Sequence, residues 1–383
     1  MDIKKMVRGS LVNASPYIPG KPIEELEREL GISNIDKLAS NENPCGTPEV
    51  AKKAVKDCLD KIYLYPDGES FNFKSVIAKT HNIGYDRVFT GNGSDELLQI
   101  VMTAFLEPGD NVISSQYTFT RYGQMAKIAH GEYRQAPMKD GMRYDLEAMA
   151  ALIDSRTKMI IIANPNNPTG TIVYDKEVRA LLDKISDNIV VILDEAYAGF
   201  VESAKYPDAL KLQAEYPHKP VVMLRSFSKI FGLAGLRVGY GTAHPDIVKY
   251  INVVRGPFNI NMLAQAAGSA SMLEAAEHAQ KSKALCSEEK KYLYENYKKL
   301  GIHYFESEAN FVLIKLADEY DGRLVGDELL RAGIIVRPMK AWGLTDNYMR
   351  VTIGTAEQNR RLIRELTRLL GKDARTARVV NGK

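Results

Sequence analysis

Lys229 ends the run Arg225-Ser226-Phe227-Ser228-Lys229, directly after the apolar stretch Val221-Val222-Met223-Leu224, and Arg237 follows at the end of Gly232-Leu233-Ala234-Gly235-Leu236. A lysine at the end of a buried strand loses part of its solvation, which favours the neutral, nucleophilic amine. The hydroxyls of Ser226 and Ser228 and the permanent charge of Arg237 suit a dianionic phosphate. The stretch therefore reads as a Schiff-base lysine beside a phosphate cup, which is what pyridoxal 5′-phosphate requires. A solvated Ser/Lys/Arg turn competes with this reading while the stretch is taken alone.

Two more strand ends carry complementary chemistry. Asp194 closes Asn188-Ile189-Val190-Val191-Ile192-Leu193 and is followed by Glu195, Ala196 and Tyr197. A carboxylate against a pyridine nitrogen keeps that nitrogen protonated, so the ring withdraws electrons from a carbon losing its proton. Tyr197, on the same turn, is placed to hydrogen-bond the ring's phenolic oxygen. The run Lys158 to Ala163 leads into Asn164-Pro165-Asn166-Asn167-Pro168-Thr169-Gly170, where two prolines and a glycine stop strand and helix alike. Asn167 is a second candidate for the phenolic oxygen, against the alternative of an Asn-Pro turn chosen only for its shape. Earlier, Val88-Phe89-Thr90 is followed by Gly91-Asn92-Gly93-Ser94-Asp95-Glu96 and a helical run, Leu97 to Phe105. The free N–H groups of Gly93, Ser94 and Asp95 at a helix start attract an anion, although Ser94 or Asp95 could serve merely as an N-cap.

Together these elements resemble fold type I aminotransferases, and most closely the histidinol-phosphate aminotransferase family. The resemblance covers nearly the whole chain. It is carried also by Ser15 to Lys21, Leu38-Ala39-Ser40-Asn41-Glu42-Asn43-Pro44, Tyr65-Pro66-Asp67 and Met349-Arg350-Val351-Thr352-Ile353-Gly354-Thr355. It implies that Phe119 stacks on the pyridine ring, although an aromatic at strand spacing also fits ordinary core. It implies phosphate ligation by Ser226, Ser228 and Arg237, and a homodimer in which Tyr65 reaches the partner's cofactor phosphate. Arg350 resembles the arginine that clamps a substrate carboxylate. Arg337 and Tyr17 are candidates for a substrate phosphate, and Asn43 is counted with the substrate residues. Two positions depart from common family patterns: Tyr117 stands where proline is usual, and Met262 where many members carry arginine.

The elements that must position these residues are legible as alternating patterns. Strand-like runs at 111–115, 159–163, 189–193, 221–224 and 238–240 alternate with helical patterns at 97–105, 146–153 and 176–186. That alternation predicts an α/β fold with a mostly parallel sheet. With 383 residues and 45% apolar residues, more than one core is expected. The predicted organisation is an arm and part of the small domain over 1–40, a large cofactor domain over 41–262, a small α+β domain over 263–372 and a frayed tail over 373–383.

Net charge is +3, from 51 basic and 48 acidic residues spread along the chain, which points away from nucleic acid and membrane surfaces. No apolar run has the length of a membrane span, and the start lacks a secretory core, so a cytoplasmic protein is expected. Cys45, Cys58 and Cys286 show no paired spacing, and no metal site is expected. The reading is an aminotransferase with a small-molecule amino donor and a 2-oxo acid acceptor. Histidinol phosphate and 2-oxoglutarate are the favoured pair. Aromatic or specialised amino acids, a decarboxylase or lyase on the same fold, and a non-catalytic ligand-sensing module are the alternatives.

Overall fold

The structure is a computed structural model, and it describes residues 2–12, 16 and 20–371. Seven strands make the central sheet: β1 (Val88–Gly91), β2 (Asn111–Ser115), β3 (Glu132–Ala136), β4 (Thr157–Ala163), β5 (Val190–Asp194), β6 (Val221–Ser226) and β7 (Gly239–Thr242). Their spatial order is β1-β7-β6-β5-β4-β2-β3. Strands β4 and β5 are buried on both faces along almost their whole length, which is why they read as continuous runs of Ile, Val and Leu rather than as alternating patterns.

The register of three parallel strands brings the chemistry together. Ala163 on β4 lies beside Asp194 on β5, and Asp194 beside Leu224 on β6. The turns that follow these residues therefore leave the sheet side by side, at the carboxyl edge where α/β sheets bind ligands. Strand β7 runs antiparallel to both neighbours, with Gly239 opposite Ser226 on β6 and Gly91 on β1. Its reversed direction puts its beginning, and hence Arg237, at that same edge.

A second sheet of four antiparallel strands has the order His303–Tyr304, Phe311–Lys315, Tyr348–Thr352, Arg337–Pro338. It is packed with the helices Ala276–Lys299 and Ala356–Leu370 around its own core, which includes Leu293, Tyr297, Val312, Val351 and Leu366. Asp36–Lys37 pairs in parallel with Ile334–Ile335, so the chain ahead of the central sheet is tied to this second unit. The helix Met262–Glu274 differs from the expected border at 262: Ala264 and Ala267 belong to the core of the large sheet. Its small residues permit that closeness, since a Cβ on Gly268 would come within 2.7 Å of the Phe73 ring. The two cores therefore divide after this helix. The expected tail over 373–383 lies outside the described residues.

Candidate active site

A cavity of about 220 Å³ opens at the carboxyl edge of the sheet, between the two cores. It is lined by Ser94, Asp95, Phe119, Asn167, Asp194, Tyr197, Ser226, Ser228, Lys229, Arg237, Arg337 and Arg350. Twelve of the residues singled out from sequence thus meet in one place.

Lys229 Nζ donates to the Ser40 carbonyl at 3.1 Å and lies 5.7 Å from the centre of the Tyr197 ring. Burial, reinforced by the nearby charges of Arg350 and Arg237, pushes its pKa down to about 7. A lysine so placed is substantially neutral at physiological pH and can attack a carbonyl. Tyr197 Oη accepts hydrogen bonds from Asn41 Nδ2 at 2.9 Å and Asn167 Nδ2 at 3.4 Å. The opposite end of Asn167, Oδ1, accepts from Arg350.

Asp194 is buried at the end of β5, where Tyr122 Oη donates to its Oδ2 at 2.7 Å and the Ala196 N–H to its Oδ1 at 3.2 Å. Burial pushes its carboxyl upward against these two donors. The neighbouring Glu195 points away and is held by Arg225 at 2.8 Å. Asp194 is thus the carboxylate presented to the cavity, with hydrogen-bond donors around it and room for a cation in front.

At the other end, the helix Ser94–Phe105 starts at the cavity wall. Gly93 precedes it with φ of 82°, and a Cβ there would come within 2.6 Å of Arg237 Nη2, so only glycine lets the guanidinium approach the helix start. Among the described residues, Arg237 makes long hydrogen bonds, at 3.3 Å to the Ala234 carbonyl, 3.4 Å to Ser228 Oγ and 3.4 Å to the Asn92 carbonyl. Asp95 would repel an anion, but Arg121 grips its carboxylate with two hydrogen bonds of 3.0 and 3.1 Å, leaving its backbone N–H to the cup. An amine, a buried carboxylate and an anion cup at these three stations match the carbonyl, ring nitrogen and phosphate of pyridoxal 5′-phosphate. The residues present fit that group.

Arg350 is buried, donates to Asn167 and to the Ala39 carbonyl, and lies 5.3 Å from the Phe311 ring centre and 5.7 Å from that of Trp342. Arg337 is directly opposite it across the antiparallel strands.

Some candidates lie elsewhere. Asn43 does not line the cavity: its amide donates to the carbonyls of Lys229 and Ile230 and to Ser282 Oγ, so it fixes the lysine's backbone instead. Asn41, two residues earlier, is the asparagine at the cavity. Tyr65 is exposed and stacks on Phe258 with ring centres 4.8 Å apart, away from this chain's own cavity. Tyr17 lies outside the described residues. Tyr117 has φ of 46°, a conformation closed to the proline usual at this place, and Met262 opens its helix away from the cavity. Sequence reading passed over Asn41 and Tyr122. The first shares a motif with Asn43, and the second had as its only signal a tyrosine three residues after Phe119.

The sequence profile of the family "Aminotransferase class I and II" matches residues 33–366. The chain is similar to a histidinol-phosphate aminotransferase of Moorella thermoacetica, 42% identical over 95% of this chain and 92% of that protein. It is also similar to histidinol-phosphate aminotransferase 2 of Carboxydothermus hydrogenoformans, 44% identical over 95% of this chain and 99% of that protein. Among solved structures, histidinol-phosphate aminotransferase from Sinorhizobium meliloti in complex with pyridoxal-5′-phosphate shares the fold, with a TM-score of 0.84 at 22% identity over 95% of this chain and 97% of that one. With its amine, carboxylate and anion cup arranged for pyridoxal phosphate, this chain belongs to the class I and II aminotransferases and, within them, to the histidinol-phosphate aminotransferase family.

Proposed function

We propose that the enzyme transfers the amino group of histidinol phosphate to 2-oxoglutarate, with both substrates using one anion site. The observation that carries this reading is the arginine pair. Arg337 and Arg350 stand opposite each other on adjacent strands at the cavity wall. Two guanidinium groups so placed give the cavity wall a concentrated positive charge suited to an anion. The donor's phosphate and the acceptor's carboxylates would each occupy that seat in turn, since an arginine fork suits both geometries. The names of the relatives at 42% and 44% identity support the choice of donor. Tyr17 is the further phosphate ligand in this reading.

Bound pyridoxal phosphate supplies an electrophilic carbonyl and a ring that draws electrons from the substrate's α-carbon. Lys229 Nζ would hold the cofactor's carbonyl carbon and, as a free amine, would move the proton from the substrate's α-carbon. Asp194, as the carboxylate, would keep the ring nitrogen protonated, Asn167 and Tyr197 would hydrogen-bond the phenolic oxygen, and Phe119 would cover a ring face. The N–H groups of Gly93, Ser94 and Asp95, the hydroxyls of Ser226 and Ser228, and Arg237 would hold the phosphate.

The working unit in this reading is a cytoplasmic homodimer. An apolar surface supports the dimer: Tyr63 and Tyr65 are each 82% exposed and Val253 78%. Arg255 and Gln265 tie these two segments into one face through the carbonyls of Gly68 and Asp67. Patches of this kind mark protein interfaces, and this one would carry Tyr65 to the partner's phosphate cup. Free Cys45, Cys58 and Cys286 suit a reducing compartment.

The test is a half-reaction. The yellow holoenzyme is mixed separately with histidinol phosphate, phenylalanine and histidine, and the loss of the cofactor's visible band is followed. Histidinol phosphate should bleach it at least about tenfold faster than either amino acid, because its phosphate offers the arginines about two negative charges where an α-carboxylate offers one, a difference worth roughly 1.4 kcal/mol. Faster bleaching by phenylalanine would move the enzyme to aromatic donors.

A further inference from the structure

Asp194 is buried, and its hydrogen-bond partners among the described residues are the Tyr122 hydroxyl at 2.7 Å and the Ala196 amide at 3.2 Å. Besides burial, Tyr122 and the helix-start carboxylate Asp95, itself gripped by Arg121, act on it, Tyr144 lies within electrostatic reach, and Lys229 and Arg237 line the same cavity. Glu195, next in the chain, is paired with Arg225, and Tyr206 lies near both. A carboxylate so buried tends to take up a proton and become neutral. Tyr122 is the group that opposes this: it comes from the helix Arg121–Ile128, is fully buried, and aims its O–H at the carboxylate. Its ring also meets Phe119 edge-on, with centroids 5.7 Å apart and planes at 86°. One side chain therefore touches both the carboxylate and the aromatic ring assigned to the cofactor's pyridine.

We propose that Tyr122 is a positioning residue for the cofactor's ring nitrogen, its hydroxyl holding Asp194 ionised and oriented so that the shared proton rests on the nitrogen and not on the carboxylate. This rests on the reading that Asp194 faces the ring nitrogen. One proton is shared between two bases, and a donor on Asp194 lowers that base's claim to it. Removing the hydroxyl while keeping the ring should move the proton toward Asp194 and weaken the ring as an electron acceptor, leaving the anion-binding arginines untouched.

The experiment reconstitutes the enzyme with pyridoxal phosphate carrying ¹⁵N in the ring and reads that nitrogen's resonance in wild type, Y122F and D194N. In Y122F the resonance should move toward the unprotonated position, corresponding to about a tenfold change in proton partition for one lost charge-assisted hydrogen bond. The kcat for transfer should fall while KM for the donor holds, because anion binding is unchanged. D194N should shift the resonance further. A resonance in Y122F equal to wild type, with D194N shifted, would reduce Tyr122 to packing and overturn the proposal. An unshifted D194N would overturn the placement of Asp194 and the proposal with it. Should Y122F fail to retain the cofactor, the protonated-carboxyl infrared band of Asp194, identified by its loss in D194N, is followed against pH. The proposal requires that band to persist to higher pH in Y122F than in wild type; equal titration overturns it.

Discussion

Lys229 and Arg237 sit at two ends of one cavity, and the fold treats their charges in opposite ways. Burial strips the lysine of its proton near neutral pH, whereas the guanidinium keeps its charge beside a helix start that adds to it. Gly93 makes the second arrangement possible. Gly93→Ala would force a side chain into an extended, positive-φ backbone that essentially only glycine adopts, at a cost of about 1–3 kcal/mol, and would press on Arg237 Nη2. Cofactor affinity should fall at least about tenfold, measured by equilibrium dialysis. Unchanged affinity would remove Gly93 and Arg237 from the cup. At this scale, the chemistry-bearing residues Lys229, Asp194 and Asn167 were legible because each follows an apolar run and sits at a turn. Asn41 was not, since nothing in Asn41-Glu42-Asn43 says which asparagine turns inward. The left-handed φ of 56° at Asn41 and its bonds to Tyr197 and Thr352 make that choice, and they depend on strands far along the chain.

At the scale of elements, sequence and structure agree best where a strand is buried on both faces. β4, β5 and β6 were visible as apolar runs, and their register explains why three motifs separated by about thirty residues each meet at one edge. The reversed direction of β7 was not visible, because Val238-Gly239-Tyr240-Gly241 carries no mark of orientation. That reversal is what brings Arg237 to the cavity. The packing of the helix Met262–Glu274 against the large sheet is hidden in the sequence for a related reason: its Ala, Gly and Ser residues present no apolar stripe, and its packing depends on close approach to Phe73. Small residues at a tight contact look like an uncommitted sequence until the partner helix is known.

At the scale of the whole molecule, the cavity lies where the two cores meet. The large sheet contributes the amine, carboxylate and anion cup, and the second unit contributes Arg337 and Arg350. An exposed apolar face extends the account to a pair of chains. Sedimentation at micromolar concentration should give the dimer mass, and Tyr65→Phe should leave that mass unchanged while weakening cofactor binding about tenfold, the worth of one charge-assisted hydrogen bond. A fully active monomer would contradict this. The most direct measurement concerns Lys229 itself. Apoenzyme is mixed with pyridoxal phosphate over a range of pH, reduced with borohydride at intervals and mapped by peptide mass. The account requires the cofactor-derived mass on Lys229, with a formation rate that rises through a midpoint near 7, because burial disfavours the charged amine and leaves it neutral above that pH. Attachment to another lysine, or attachment to Lys229 that accelerates only toward the ordinary lysine range, would contradict it.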